Sequence, residues 1–258
     1  MRSLERIAAV AANTMREAVR SRVLYTLLFF ALALIGTGVL LSTLSYVEQD
    51  RILQDVGFAA IRVFGVAIAI FVGIGLVHRE IDRRTIFTIL SKPIGRSEFL
   101  LGKYFGLLAT LWLQVGVMAV GFAAVSLATH APLGRVHAAA FALIGVELAV
   151  VVAIALLFSA FASPMLASLF TAGLWLIGHL SRDLRNLGSQ SSADSVKLAT
   201  EWLYRALPDL SAFDLTQHAA HGLPIAASDV ALPLAYGLGW VALALVAATW
   251  VFERRDFR

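Results

Sequence analysis

Val23-Leu-Tyr-Thr-Leu-Leu-Phe-Phe-Ala-Leu-Ala-Leu-Ile-Gly-Thr-Gly-Val-Leu-Leu-Ser-Thr-Leu44 decides the fold. These 22 residues contain no charged side chain. As a helix they are about 33 Å long, enough to cross the hydrocarbon core of a bilayer. Five further apolar segments follow: 58–77, 104–127, 138–161, 165–180 and 233–252. Lipid leaves no partner for free backbone groups, so each segment is expected to be a helix. The chain of 258 residues is 59% hydrophobic and 15% charged. An ordinary soluble domain is about 45–50% apolar and about 25% charged. The sequence therefore excludes a disordered chain and a collagen-like chain, and argues against a soluble enzyme. It predicts an all-α membrane protein of six transmembrane helices forming a single domain over residues 1–258.

The segments between the spans set its orientation. Residues 1–22 place Ile7, Val10, Ala11, Thr14, Met15, Ala18 and Val19 at helical spacing, with Arg6, Arg16, Glu17 and Arg20 elsewhere on the wheel. That pattern predicts an amphipathic interfacial helix, an elbow leading into the first span. The long basic start, and the lack of a cleavage site after a short apolar core, do not fit a signal peptide. Residues 45–57 and 128–137 are short polar connections, 162–164 is a tight turn, and 181–232 is a polar segment of 52 residues. With the N-terminus inside, 14 of the 21 Lys and Arg residues fall on the inner side. The positive-inside rule then places both termini in the cytoplasm and 181–232 outside. Within 181–232, Val196, Ala199, Leu203, Ala206 and Leu207 recur at helical spacing beside Trp202 and Tyr204. They predict a short outer amphipathic helix before the last span.

Charge inside the apolar segments marks candidate sites. Glu147 lies about ten residues into the fourth span, where a carboxyl is costly and points to function. It is expected to be protonated, to line a polar path or to pair with Arg62. If it lines the path, leucine there should keep or raise stability and abolish transport. Arg62 is expected one turn inside the outer boundary, where its long stem lets it reach the headgroups. Asp214, His218 and His221 fall at i, i+4 and i+7, a weak candidate for Zn²⁺ or Cu²⁺. The pairs Gly36/Gly38, Gly73/Gly75 and Gly237/Gly239 are expected to serve close helix packing. With no cysteine, there is neither a disulfide framework nor a thiolate site.

The most charged stretch is His78-Arg-Glu-Ile-Asp-Arg-Arg-Thr-Ile-Phe-Thr-Ile-Leu-Ser-Lys-Pro-Ile-Gly-Arg-Ser-Glu-Phe-Leu-Leu-Gly-Lys103. Its apolar patch around Ile86 and Phe87 among charges wants a partner or the lipid interface. Glu80, Thr85, Leu90, Pro93, Arg96, Glu98, Gly102 and Lys103 resemble the pattern of ABC-2 type permeases, with Arg84 where many members carry glycine. The tail Phe252-Glu-Arg-Arg-Asp-Phe257 is similar to the family's basic C-terminus. Leu207-Pro-Asp-Leu-Ser-Ala-Phe213 is similar to a stretch in the branch that includes the nitrous-oxide-reductase maturation exporter permease.

The resemblance implies that 78–103 holds a cytoplasmic coupling helix. Glu80, Asp82, Arg83, Thr85, Ile86 and Pro93 would then meet a separate ATP-binding subunit. It implies two such ATPase subunits, with ATP and Mg²⁺ on them, and a second permease copy or a paralogue. It also implies short outer helices that cap the exit path, and a bacterial inner membrane as the location. The chain itself has no G-x-x-x-x-G-K-[S/T] loop: Gly95 and Gly102-Lys103-Tyr104 have the wrong spacing and a tyrosine at the hydroxyl position. No cofactor, nucleic-acid partner or catalytic residue is expected on it. An intramembrane enzyme lacks its signatures here, since H-E-x-x-H and G-x-S-x-G are absent and nothing joins Ser163 to His179. The alternative is a secondary transporter driven by an ion gradient, with Glu147 as its proton site. It would want inverted repeats, and none is seen.

Overall fold

A computed structural model describes residues 3–42, 49–76, 95–131 and 133–254. Among them every regular element is helical. The elements are α1 (Ser3–Val19), α2 (Arg22–Ser42), α3 (Gln49–Ile68, continued by a π-helical stretch over Ala69–Ile74), α4 (Arg96–Ala128), α5 (Arg135–Ser159) and α6 (Pro164–Ser189). The outer segment forms α7 (Asp194–Ala206), a 3₁₀ turn (Leu210–Phe213) and α8 (Thr216–Ala220), and α9 (Ala227–Arg254) closes the chain. Six of these are long and apolar enough to span a membrane: α2, α3 with its π-helical end, α4, α5, α6 and α9.

α5 is the axis of the bundle. Its most apolar window is 72% buried, against 22% for α2 and α6 and 17% for α9. Its sequence is apolar all round, which suits a helix with protein on every side; the peripheral helices turn one face to lipid. At one end of α5, Phe58, Phe122 and Phe141 pack against one another and against the His137 ring, and His137 Nδ1 accepts from the Gly134 amide at 3.1 Å. A wedge of aromatic rings fixes the start of α5 between α3 and α4.

The other end of the bundle gathers the start of α4, the end of α5 and the end of α9. Phe99 and Leu100 of α4, Ala160 after α5, and Ala248 and Phe252 of α9 form one apolar cluster. Arg96 donates from Nη1 to the carbonyls of Phe252 at 3.2 Å and Glu253 at 2.9 Å. It thus adds a cap to C-terminal carbonyls of the last span. α1 lies along the first half of α4. Arg6 pairs with Glu98 at 3.0 Å, and Lys103 approaches Glu17 at 4.0 Å. Between these pairs a Cβ on Gly102 would meet Val10 Cβ at 2.5 Å, and one on Gly106 would meet the Ala11 carbonyl at 2.5 Å. Only glycine lets α1 approach α4 this closely. Four residues of the family-like stretch, Arg96, Glu98, Gly102 and Lys103, therefore act as clamps between helices.

One glycine of each Gly-x-Gly pair meets a neighbour. Gly38 faces Leu53 and Val56, Gly73 faces Leu107, and Gly237 faces Val146 and Phe213, while Gly36, Gly75 and Gly239 have open space.

Candidate functional site

Two helices, α3 and α6, converge on Glu147, in the middle of α5. Its side chain is 0% exposed. Oε2 accepts from Arg62 Nε of α3 at 3.1 Å. Oε1 accepts from Trp175 Nε1 of α6 at 2.9 Å, and His179 Nε2 stands 2.9 Å from the same oxygen. Trp175 and His179 are one helical turn apart, which brings both to the same face of α6. Arg62 then reaches past Glu147 with Nη2, which donates to Asp214 Oδ1 at 3.0 Å. Asp214 follows the 3₁₀ turn and also accepts from the Thr216 amide at 2.9 Å. The chain of contacts runs from a closed carboxyl, through a guanidinium 12% exposed, to a carboxyl 35% exposed. It ties α3, α5 and α6 to the outer segment.

Burial pushes the Asp214 carboxyl up, but its hydrogen bond and charge contact with Arg62, with the Thr216 amide, outweigh that. The balance holds it at about 2, below the usual carboxylate range. Asp214 therefore stays ionised across the neutral range.

The sequence-predicted residues divide as follows. Glu147 pairs with Arg62, one of the three expectations for it. Its carboxyl does not line the outer cavity, and its saturated oxygens alter the effect expected of leucine. Removing the acid would leave the buried Arg62 with Asp214 alone, so stability is expected to fall instead of rising. Arg62 does not reach for headgroups. α3 begins at Gln49, nine residues before the expected span, so Arg62 lies mid-helix and turns inward to its two acids. The metal triad does not form. α8 covers only Thr216–Ala220, so Asp214, His218 and His221 share no helical face. Asp214 is taken by Arg62, and His221 Nδ1 lies 3.0 Å from its own helix at the Gln217 carbonyl. No group of three His, Cys, Asp or Glu side chains able to hold a metal is found among the described residues. Ser163 precedes α6 and His179 lies about 24 Å further along it, so they share no site. Glu80, Asp82, Arg83, Thr85, Ile86 and Pro93 lie outside the described residues.

Trp175, His179 and Asp214 are members of the cluster that the sequence reading did not assign to it. The available signal was the Trp175/His179 spacing in the apolar segment 165–180, the one of the six expected spans that carries a histidine.

Above Asp214 opens an outer cavity of about 630 Å³ between the outer segment and α9. The stretch Leu207–Phe213 builds its floor. Leu210 and Phe213 are 0% exposed; Leu210 fills the space over Gly178 and Phe213 that over Gly237. The Asp209 amide donates to Tyr236 Oη at 2.8 Å. Its carboxyl takes Arg182 Nε at 2.6 Å and both the amide and the hydroxyl of Ser211. The stretch is an anchor that holds the outer helices between α6 and α9. The cavity's size suits a small organic ligand, for which about 300–1,000 Å³ is usual.

No curated protein matches the chain significantly. A sequence-family model described as ABC-2 family transporter protein matches residues 8–257, from α1 through the last span and into the tail. Six spans around a buried α5, an elbow helix clamped to α4, and that match over nearly the whole length lead to one conclusion: the chain is a multi-pass membrane protein of the ABC-2 transporter family, a permease component of an ABC transporter.

Proposed function

We propose that this chain is the membrane-spanning subunit of an ATP-driven exporter and that it draws its energy from ATP hydrolysed on a separate ATP-binding subunit. The observation that carries the reading is the family match over residues 8–257 on a chain whose sequence holds no phosphate-binding loop. Two ATPase subunits, with ATP and Mg²⁺, would act on a pair of permeases, either two copies of this chain or this chain and a paralogue. The 78–103 segment would supply the contact, with Glu80, Asp82, Arg83, Thr85, Ile86 and Pro93 at the docking face. ATP-driven closure of the ATPases would shift the equilibrium between inward and outward access. The stretch Leu207–Phe213 supports placement in the branch similar to the nitrous-oxide-reductase maturation exporter permease.

The end of the bundle that carries α1, the start of α4 and the end of α9 also carries the basic surplus of the sequence. By the positive-inside rule that end would be cytoplasmic, and the resemblance to ABC-2 type permeases implies a bacterial inner membrane. An ion-driven carrier with Glu147 as proton site is less well supported. A carboxyl with three partners and no exposed surface offers a proton no open side.

The test replaces Thr85 and Ile86 by aspartate in the tagged protein and purifies it from its native membrane. The wild-type chain is expected to bring down an ATP-binding subunit, and the variant to insert normally but lose it. Equal recovery of the ATPase with both would remove 78–103 as the docking segment. Recovery with neither would remove the ATP-driven reading itself.

A further inference from the structure

Three buried polar atoms gather where α3 begins, α4 ends and α5 begins. They are Gln54 Oε1, Ser126 Oγ and His137 Nε2, and none has a hydrogen-bond partner in the protein. All three residues are closed off from the surface: Gln54 is 2% exposed, Ser126 1% and His137 7%. A polar atom buried without a partner costs stability, because it gives up its contacts with water and gains nothing in return.

Helical spacing brings the three together. Gln54 stands one turn before Phe58 on α3, Ser126 one turn after Phe122 on α4, and His137 one turn before Phe141 on α5. Residues four apart share a helix face. The rings of Phe58, Phe122 and Phe141 meet pairwise, with centroids 5.3, 5.2 and 5.7 Å apart. In each helix the step from the ring to the polar residue leads toward the same end of the bundle. The polar side chains therefore form the next layer above the aromatic wedge. The His137 ring sets its level, 6.0 Å from the Phe58 ring and 6.3 Å from that of Phe122.

The three atoms differ in what they need. Gln54 Oε1 accepts a hydrogen bond. His137 Nδ1 already accepts from the Gly134 amide, so the neutral ring carries its proton on Nε2, which donates. Ser126 Oγ can do either. A cation would be opposed by the His137 N–H, and an anion by the Gln54 carbonyl. A water molecule suits all three: it accepts from His137, donates to Gln54, and donates to or accepts from Ser126. Buried waters typically make about three such bonds.

We infer that Gln54, Ser126 and His137 bind one water molecule, which joins α3, α4 and α5 above the aromatic wedge. Phe58 and Phe122, both 0% exposed, close the site on its apolar side. The water completes the hydrogen bonding of this joint, whatever energy source drives transport.

Two measurements on the purified full-length chain in nanodiscs test it. The first is the melting temperature. Ser126→Ala removes one oxygen and little volume. Were that oxygen a bare orphan, its loss would raise the melting temperature. With the water bound, the melting temperature is expected to fall by about 2–4 °C, the shift for one lost hydrogen bond in a chain of this size. Gln54→Leu is expected to lower it too. The double variant should lose less than the sum of the two, because both residues hold the same water. The second measurement is oxidation by hydroxyl radicals made from water in place by an X-ray pulse. Phe58 and Phe122 are expected to be oxidised although buried. Phe99 and Phe252, buried in the apolar cluster at the other end, are expected to stay unmodified. Oxidation of Phe58 and Phe122 should decline in Ser126→Ala. A raised or unchanged melting temperature in Ser126→Ala, strictly additive losses, or Phe58 and Phe122 as silent as Phe99 would overturn the inference.

Discussion

Glu147 shows how a costly residue becomes structural. A buried carboxyl in a span is expensive, but here Arg62, Trp175 and His179 occupy its oxygens. Removing one partner of a buried pair commonly costs about 3–5 kcal/mol. Glu147→Leu is therefore expected to lower thermal stability in detergent by an amount of that order. The double variant Arg62→Leu/Glu147→Leu should lose less than the sum of the singles. A Glu147→Leu protein as stable as wild type would contradict the hub role. Asp214 gives a pH test. Its folded pKa is depressed to about 2, below the unfolded value of about 3.9. The stability it contributes is therefore complete above about pH 4 and is lost as pH falls through 2. The melting-temperature gap between wild type and Asp214→Asn should stay constant from pH 7 to about 4 and narrow below that. A gap that changes between pH 7 and 5 would point to another group. The sequence made the Glu147–Arg62 pair readable, because both are charges in apolar runs. It did not reveal Trp175 and His179 as partners, because rotation of α6 about its axis is set by packing. The metal triad failed for a different reason: spacing rules hold only within one helix, and the chain leaves helical geometry at Asp214, with φ −92° and ψ 106°.

At the scale of elements, the membrane-spanning segments were legible because lipid solubility is written into composition. The helix ends were less so. α3 starts at Gln49 and α6 continues to Ser189, where polar residues remain helical by packing on protein. The α6 extension pairs with α7, and Gly188 leaves room for Thr200. The clamps were visible only as a family-like pattern. Their physical purpose, α1 against α4 and Arg96 on the end of α9, needed the three-dimensional arrangement. Gly106→Leu should force α1 off α4. The expected loss is about 1–3 kcal/mol, the usual cost of overpacking, and a shift in thermal unfolding checks it. Arg96→Ala removes the guanidinium donor from two carbonyls at the end of the last span. The loss expected for charge-assisted hydrogen bonds is about 1.5–3 kcal/mol, read the same way. If neither variant lowers the melting temperature, these contacts do not clamp the helices.

The whole molecule has two unlike ends. One is basic and tightly clamped, and brings together the elbow helix, the start of α4 and the end of α9. The other carries short helices anchored by Leu210 and Phe213 over a cavity, and is wired through Asp214 and Arg62 to the buried carboxyl of α5. A push delivered at the basic end would reach the outer cavity through rigid helices and this ion-pair chain. Such an arrangement suits a permease moved by a partner on one side of the membrane. The most direct test of that claim is the composition and ATPase activity of the protein purified intact from its native membrane. The expected result is an ATP-binding subunit in equal number to the permease and ATP hydrolysis that the chain alone does not show. A preparation free of any ATP-binding subunit, with transport that collapses when the ion gradient is dissipated, would contradict it.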